Sequence, residues 1–233
     1  MNGYLKWFSR LTWVGVLANL ASFVLPALFS PDTMEALLGP GSTEFALTWV
    51  PYAGFVLLCA SLLYLPAAVD PHGRHVYAWL SVVGRGLAAG FWLWQNSRWQ
   101  LPGMVRTFWM LDAFFCVVFL ILLQLGMPPE WKFSPVNLGR VFASWGRAFS
   151  RLFEGGTGSA QDPSNKSLRA FGIAAWLVSL GVLWFSAPSL LAPETFNLRL
   201  GGVRDVWAYL WLGNCGLLLV QCTLFLLPAA SYP

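Results

Sequence analysis

Two ionised side chains stand where ions are costly. Arg85 and Asp112 both fall inside long apolar stretches of the chain. A charge carried into hydrocarbon needs a partner, a wet cavity or a function. On neighbouring antiparallel helices the two can close into an intramembrane ion pair that clamps the hairpin. The same pair could instead handle a proton or an anion, or meet a partner subunit; the clamp is the plainer reading. Gly84, Gly86, Ala88 and Gly90 surround Arg85. The i, i+4 spacing of Gly86 and Gly90 lets two helices approach closely, within a bundle or against another protein.

The remaining chemistry-bearing residues are sparse. His72 and His75 flank Arg74 after Asp70-Pro71 and share a helical spacing, but no Cys or Glu accompanies them, so they read as interfacial loop residues rather than metal ligands. No apolar stretch holds a histidine, which speaks against a haem or bacteriochlorophyll ligated by this chain alone. Cys59, Cys116, Cys215 and Cys222 all lie in apolar stretches without a C-x-x-C pair. They read as small apolar residues, with neither a metal nor a disulfide framework implied. No Gly-rich phosphate loop, G-x-S-x-G or H-E-x-x-H is found. The expectation is a chain with no catalytic residues and no resident cofactor.

What must position these residues is set by composition. Of 233 residues 57% are hydrophobic and only 10% charged, and the mean hydropathy is +0.60. A soluble domain needs about 25% charged residues to coat its surface, so soluble and disordered classes are excluded. A helix crossing hydrocarbon needs about 20 apolar residues. Six stretches qualify: 11–29, 46–69, 76–94, 107–125, 170–191 and 206–230. Without water every backbone group must be paired within the segment, so each is expected to be a helix and the protein an all-α integral membrane protein. The first stretch follows Lys6 and Arg10 but is long for a signal core, and reads as a retained helix.

The net charge of +4 and pI near 9.0 reflect topology rather than nucleic acid, which is not an expected partner. With the N-terminus inside, nine Lys and Arg fall in inner segments and four in outer ones. Both termini are therefore expected to be cytoplasmic, in a bacterial inner membrane. The fourteen Trp and eighteen Phe suit aromatic belts at both interfaces, with Trp92, Trp94 and Trp99 at the outer end of the third span. Flat aromatic surfaces also suit a bound lipid, quinone or carotenoid.

Displacing the sequence by 162 residues superposes two parts of it without a gap. Pro26, Leu28, Pro31 and Thr33 fall on Pro188, Leu190, Pro193 and Thr195; Gly39, Trp49 and Gly54 fall on Gly201, Trp211 and Gly216. Leu65-Pro66-Ala67-Ala68 falls on Leu227-Pro228-Ala229-Ala230. Shared prolines, glycines and a tryptophan at one offset argue for a tandem repeat. Each copy begins as span, Pro-initiated interfacial helix, Gly stop and span. Ser30 can cap the first short helix, with Pro31 at its first position and Asp32 and Glu35 complementing its dipole; Ala192 replaces Ser30 in the second.

Three regions follow: a four-helix unit over 1–127, a cytoplasmic linker over 128–168, and a second unit over 169–233 with its first two helices only. The halving means either two lost helices or a chain that continues past Pro233, and the second is the expectation. In the linker Leu138, Val141, Phe142, Trp145, Phe149 and Leu152 form an apolar stripe, with Arg140, Arg147 and Arg151 opposite. That is the pattern of a basic helix lying on anionic lipids at the cytoplasmic face, with docking on a soluble partner as the alternative.

In layout the chain resembles small bacterial four-helix membrane proteins of the DoxX-like group. The likeness rests on the run from Pro26 to Gly39, on Leu65-Pro66-Ala67-Ala68-Val69-Asp70-Pro71 and on the Gly/Arg-bearing third span. It covers roughly 7–127 and again 170–233. Some members of that group are membrane subunits of quinone-linked oxidoreductases, and no catalytic residues carry over. The expected function is a non-catalytic integral subunit that anchors or surrounds a larger respiratory or photosynthetic electron-transfer complex, with other membrane subunits as partners. The alternative is a small transporter or lipophilic-ligand carrier built on Arg85 and Asp112.

Overall fold

The computed structural model describes residues 2–38, 44–99, 103–134 and 163–231, together with 136, 137, 139 and 143. Among these residues there is no strand. Six helices are long and apolar enough to cross a membrane: Gly3–Phe29, Leu47–Val69, His75–Trp99, Arg106–Gly126, Ala170–Leu191 and Val206–Leu226. Each overlays one of the six expected stretches, so the chain is an all-α multi-pass membrane protein. The first span starts earlier than hydropathy suggests because Asn2 caps it. The Asn2 side chain accepts from the Leu5 amide at 3.1 Å and donates to the Gly126 carbonyl at 2.8 Å, tying the first span to the end of the fourth. Arg140, Trp145, Arg147 and Arg151 of the expected surface helix lie outside the described residues, as does Gly39.

Both expected short helices are present, Pro31–Leu38 after the first span and Pro193–Arg199 after the fifth. The residue before each proline turns the chain in the same way: Ser30 has φ −150° and ψ 60°, Ala192 φ −139° and ψ 58°. Their amides reach back to the Pro26 and Pro188 carbonyls at 2.8 and 3.0 Å. The second short helix stops at Gly201, whose φ of +84° suits a residue without a Cβ. The Gly202 amide then closes onto the Asn197 carbonyl at 3.0 Å.

Further contacts fall at the spacing of 162 residues. A Cβ on Gly54 would meet Val24, Ala27 and Leu28; one on Gly216 would meet Ser186, Ser189 and Leu190. Ala53 and Cys215 share one core cluster, and Ala60 and Cys222 another. The second and sixth spans thus run side by side with matching residues at matching heights. Two subunits about a two-fold axis along the membrane normal would meet in this way.

Five spans close a ring in which the first meets the second, the second the sixth, the sixth the third, the third the fourth and the fourth the first. The fifth span stands outside, against the sixth. The sixth span is the most enclosed, with 78% of its apolar window covered, against 17% for the outlying fifth and also for the fourth, whose outer face is open. Lipid tails are as apolar as Leu, so close backbone approach rather than hydrophobic exclusion holds such a bundle. Fully buried Ala27, Ala53, Ala60, Ala67, Ala68 and Ala78 mark those approaches. The Ser9 hydroxyl adds a bond from the first span to the Ala68 carbonyl of the second.

Candidate functional site

Arg85 lies about 15 Å along the third span from His75, and Asp112 about 21 Å from the Gly126 end of the fourth, at 1.5 Å per residue. Those two ends lie at the same side of the bundle. An extended Arg side chain spans the remaining height, and Arg85 Nη1 meets Asp112 Oδ1 at 2.6 Å. The two side chains are 11% and 15% exposed. The guanidinium carbon stands 5.5 Å from the Tyr64 ring and 5.4 Å from the Phe115 ring, so two aromatic faces replace part of its hydration.

Small residues make room for this group. A Cβ on Gly15 of the first span would stand 3.0 Å from Arg85 Nη2. On Gly84 it would stand 2.5 Å from the Tyr64 hydroxyl and 3.7 Å from the Gln221 amide carbon. Gln221 of the sixth span donates to the Gly84 carbonyl at 2.9 Å. The expected packing role of Gly84 is therefore met inside the ring, between the second, third and sixth spans. Gly86 faces Cys116 at 3.4 Å, Ala88 packs at the edge of the Phe91–Trp92 cluster, and Gly90 has no atom within 4 Å of a Cβ position.

Beside the ion pair is a cavity of about 150 Å³, and all five ring helices line it. The first span supplies Asn19 and Phe23, the second Tyr64, the third Arg85 and Trp92, the fourth Asp112, the sixth Asn214 and Gln221. The first span reaches it through a π-helical turn, Leu20–Val24, where the Leu25 amide bonds to the Leu20 carbonyl. Pro26 favours such a turn, since it cannot donate and its ring crowds the carbonyl four residues back, but it does not dictate one. The fifth span has Pro188 at the corresponding place yet stays α-helical throughout. The widened turn thus belongs to the proline-bearing span that lines the cavity. Arg85 Nε is buried without a hydrogen-bond partner, a donor ready for an acceptor.

The other singled-out residues lie elsewhere. His75 is the first residue of the third span, which begins one residue before the expected boundary; it stacks on Trp131 at 4.3 Å with the planes 6° apart, and His72 meets the same ring edge-on at 4.7 Å. Trp79 Nε1 donates to the Trp131 carbonyl at 2.7 Å, fixing that indole. Among the described residues no group of three His, Cys, Asp or Glu could hold a metal. Trp94 and Trp99 carry Arg98 over their rings at 5.3 and 5.1 Å, as interfacial aromatics do. Trp92, expected in the same belt, is instead 8% exposed and packs at 5.8 Å against Phe108 in the cavity wall.

Reasoning from ionised residues alone misses Gly15, Asn19, Tyr64, Asn214 and Gln221. The amides carried a usable signal, since an uncharged polar group inside an apolar span also needs a reason. A scan against family models finds no family that matches the chain, and searches of curated proteins and of solved structures find no match.

Proposed function

We propose that the protein is a non-catalytic integral membrane protein that holds the compact polar head of a lipophilic molecule inside its five-helix ring. One observation carries this reading: a cavity beside an intramembrane Arg–Asp pair, with a buried guanidinium N–H left over. A volume of about 150 Å³ takes a single ring, as an apolar cavity of that size takes benzene. The pair is neutral as a unit and the donor left over is Arg85 Nε, so a neutral head bearing carbonyl or hydroxyl oxygen suits the site better than an ion. A quinone, a carotenoid end group or a lipid ester satisfies that chemistry, with its tail passing between spans into the bilayer.

Native mass spectrometry of the protein extracted gently from its own membrane tests the reading. The expected result is a bound mass of a few hundred daltons that the double variant Arg85→Met with Asp112→Leu and, at another residue lining the cavity, Ala88→Trp each remove while the ring stays folded. A chain that carries only bulk lipid, unchanged by either substitution, overturns it.

A second reading, a subunit that anchors or surrounds a larger membrane complex, is favoured by Trp184. It is 87% exposed and stands about 10 Å inside the end of the fifth span, at 1.5 Å per residue. Lipid-facing Trp otherwise gathers at the interface. The excess of Lys and Arg in the segments that share a side with both chain ends orients that side to a bacterial cytoplasm. The basic stretch 140–151 then lies against anionic lipid.

A further inference from the structure

Three residues that line the cavity beside Arg85 and Asp112 are exposed: Ala18 and Ser22 of the first span and Leu111 of the fourth, the last by 48%. Every other lining residue is buried or half-buried. Ala18 lies about 22 Å along the first span from Gly3, and Leu111 about 22 Å from the Gly126 end of the fourth, at 1.5 Å per residue. Asn2 ties those two ends together, so Ala18 and Leu111 stand at one level. Between that level and the chain ends the two spans are in contact. Phe8 meets Phe119 edge-on at 4.8 Å, and a Cβ on Gly126 would stand 2.9 Å from Leu5. Past Asn19 this packing falls away. Val16 packs with Tyr64, and Asn19 donates to Ser61 Oγ at 3.5 Å, so the first span leans there on the second. Ala18 and Ser22 are left on the side of the fourth span. The two spans are bridged again where Phe23 meets Phe108 edge-on, ring centroids 6.5 Å apart.

A slot therefore opens from the cavity into lipid, with Gly15 and Arg85 below it and the Phe23–Phe108 pair above. Leu111 and Phe108 are three residues apart, a rise of about 4.5 Å. Carbon atoms pack at about 4 Å, so one hydrocarbon chain fills that height and two do not. The Ser22 hydroxyl donates to the Ala18 carbonyl of its own helix, which leaves the rim apolar. We propose that this slot carries the tail of the bound molecule, and that the molecule is a single oxygen-bearing ring with one hydrocarbon tail. The tail then lies in the half of the bilayer away from the chain ends. The inference rests on the lipophile reading above and adds the class of lipid and its path out of the ring. A glycerolipid brings two tails to one headgroup, and the slot seats only one of them. A ring with one tail leaves nothing unplaced.

Native mass spectrometry with fragmentation of the released molecule tests the proposal on four variants. Ala18→Trp and Leu111→Trp fill the slot from its lipid side. Val14→Trp, one turn nearer the chain ends on the first span, and Phe55→Trp on the second replace exposed residues that do not line the cavity. The unaltered protein is expected to release a molecule with one tail. Ala18→Trp and Leu111→Trp should each cut its occupancy at least tenfold at an unchanged melting temperature, whereas Val14→Trp and Phe55→Trp retain it. A photoreactive amino acid at Ser22, exposed at the rim, should label the same molecule in native membranes, and this label decides the matter if the tryptophan variants do not fold. A two-tailed lipid released from the folded protein overturns the proposal and leaves the cavity reading standing. Full occupancy in both slot variants does the same, as does a Ser22 adduct of bulk phospholipid alone. A protein that releases no bound molecule overturns the reading and the proposal together.

Discussion

Arg85 and Asp112 are each tolerable only because the other is present. Removing one partner leaves a buried charge unpaired, which costs about 3–5 kcal/mol, whereas apolar replacement of both is often neutral. Asp112→Asn alone should therefore lower the melting temperature in mild detergent steeply, and Arg85→Met with Asp112→Leu should recover most of the loss. A double variant no more stable than the single one would mean that the pair does more than neutralise itself. The glycines of the third span separate just as clearly. Gly84→Ala places a methyl 2.5 Å from the Tyr64 hydroxyl, and the ring must open to take it, at about 1–3 kcal/mol. Gly90→Ala meets nothing within 4 Å and should be neutral or stabilising by up to about 1 kcal/mol. Thermal denaturation of the two variants side by side decides the point. The ion pair was legible in the sequence because two charges in apolar runs have few alternatives. The residues that cradle it were not, since which Gly, Tyr or Gln faces Arg85 depends on which spans become neighbours.

At the level of the element, the first span departs most from regular geometry. The π-turn holds one residue more than the α-helix needs, and it lies where Asn19 and Phe23 enter the cavity wall. Deleting Ala21 should turn the Leu20–Leu25 bond into an ordinary i→i+4 bond, keeping both flanks in phase but removing the widening at the cavity wall. The expected outcome is a protein that still inserts six spans but loses its small bound molecule in native mass spectrometry. Retention of that molecule would place it outside this cavity. The six spans and both short helices were readable from apolar run length and from the Ser30-Pro31 and Ala192-Pro193 breaks. The widened turn was not. Pro26 and Pro188 stand in similar sequence, and only one of them widens its helix; local sequence does not separate the two cases.

Across the whole molecule, the chain divides into a ring of five spans and one outlying helix. Opening free energies follow buried contact. Backbone amides of the fifth span, with 17% of its window covered, should exchange with solvent deuterium before those of the sixth, with 78%. Equal protection in purified protein would mean that the fifth span is held by something other than the sixth. The neighbour order was not legible either. Short connections suggest that the second and third spans pack together along their length, yet beyond the Tyr64–Gly84 contact the sixth lies between them, with Leu217 and Gln221 against the third and Cys215, Leu218 and Cys222 against the second.

That placement also bears on how the protein is made. The helix that completes the ring is the last of the six spans to leave the ribosome, nearly a hundred residues after Asp112. At synthesis rates of about 5–20 residues per second, the first four spans wait on the order of 5–20 seconds in the bilayer. During that interval the cavity beside the Arg85–Asp112 pair lacks the wall that Asn214, Leu217, Leu218 and Gln221 of the sixth span supply. A molecule too bulky to slip between closed helices still has that window in which to enter, so loading can be an event of biogenesis rather than of the finished protein.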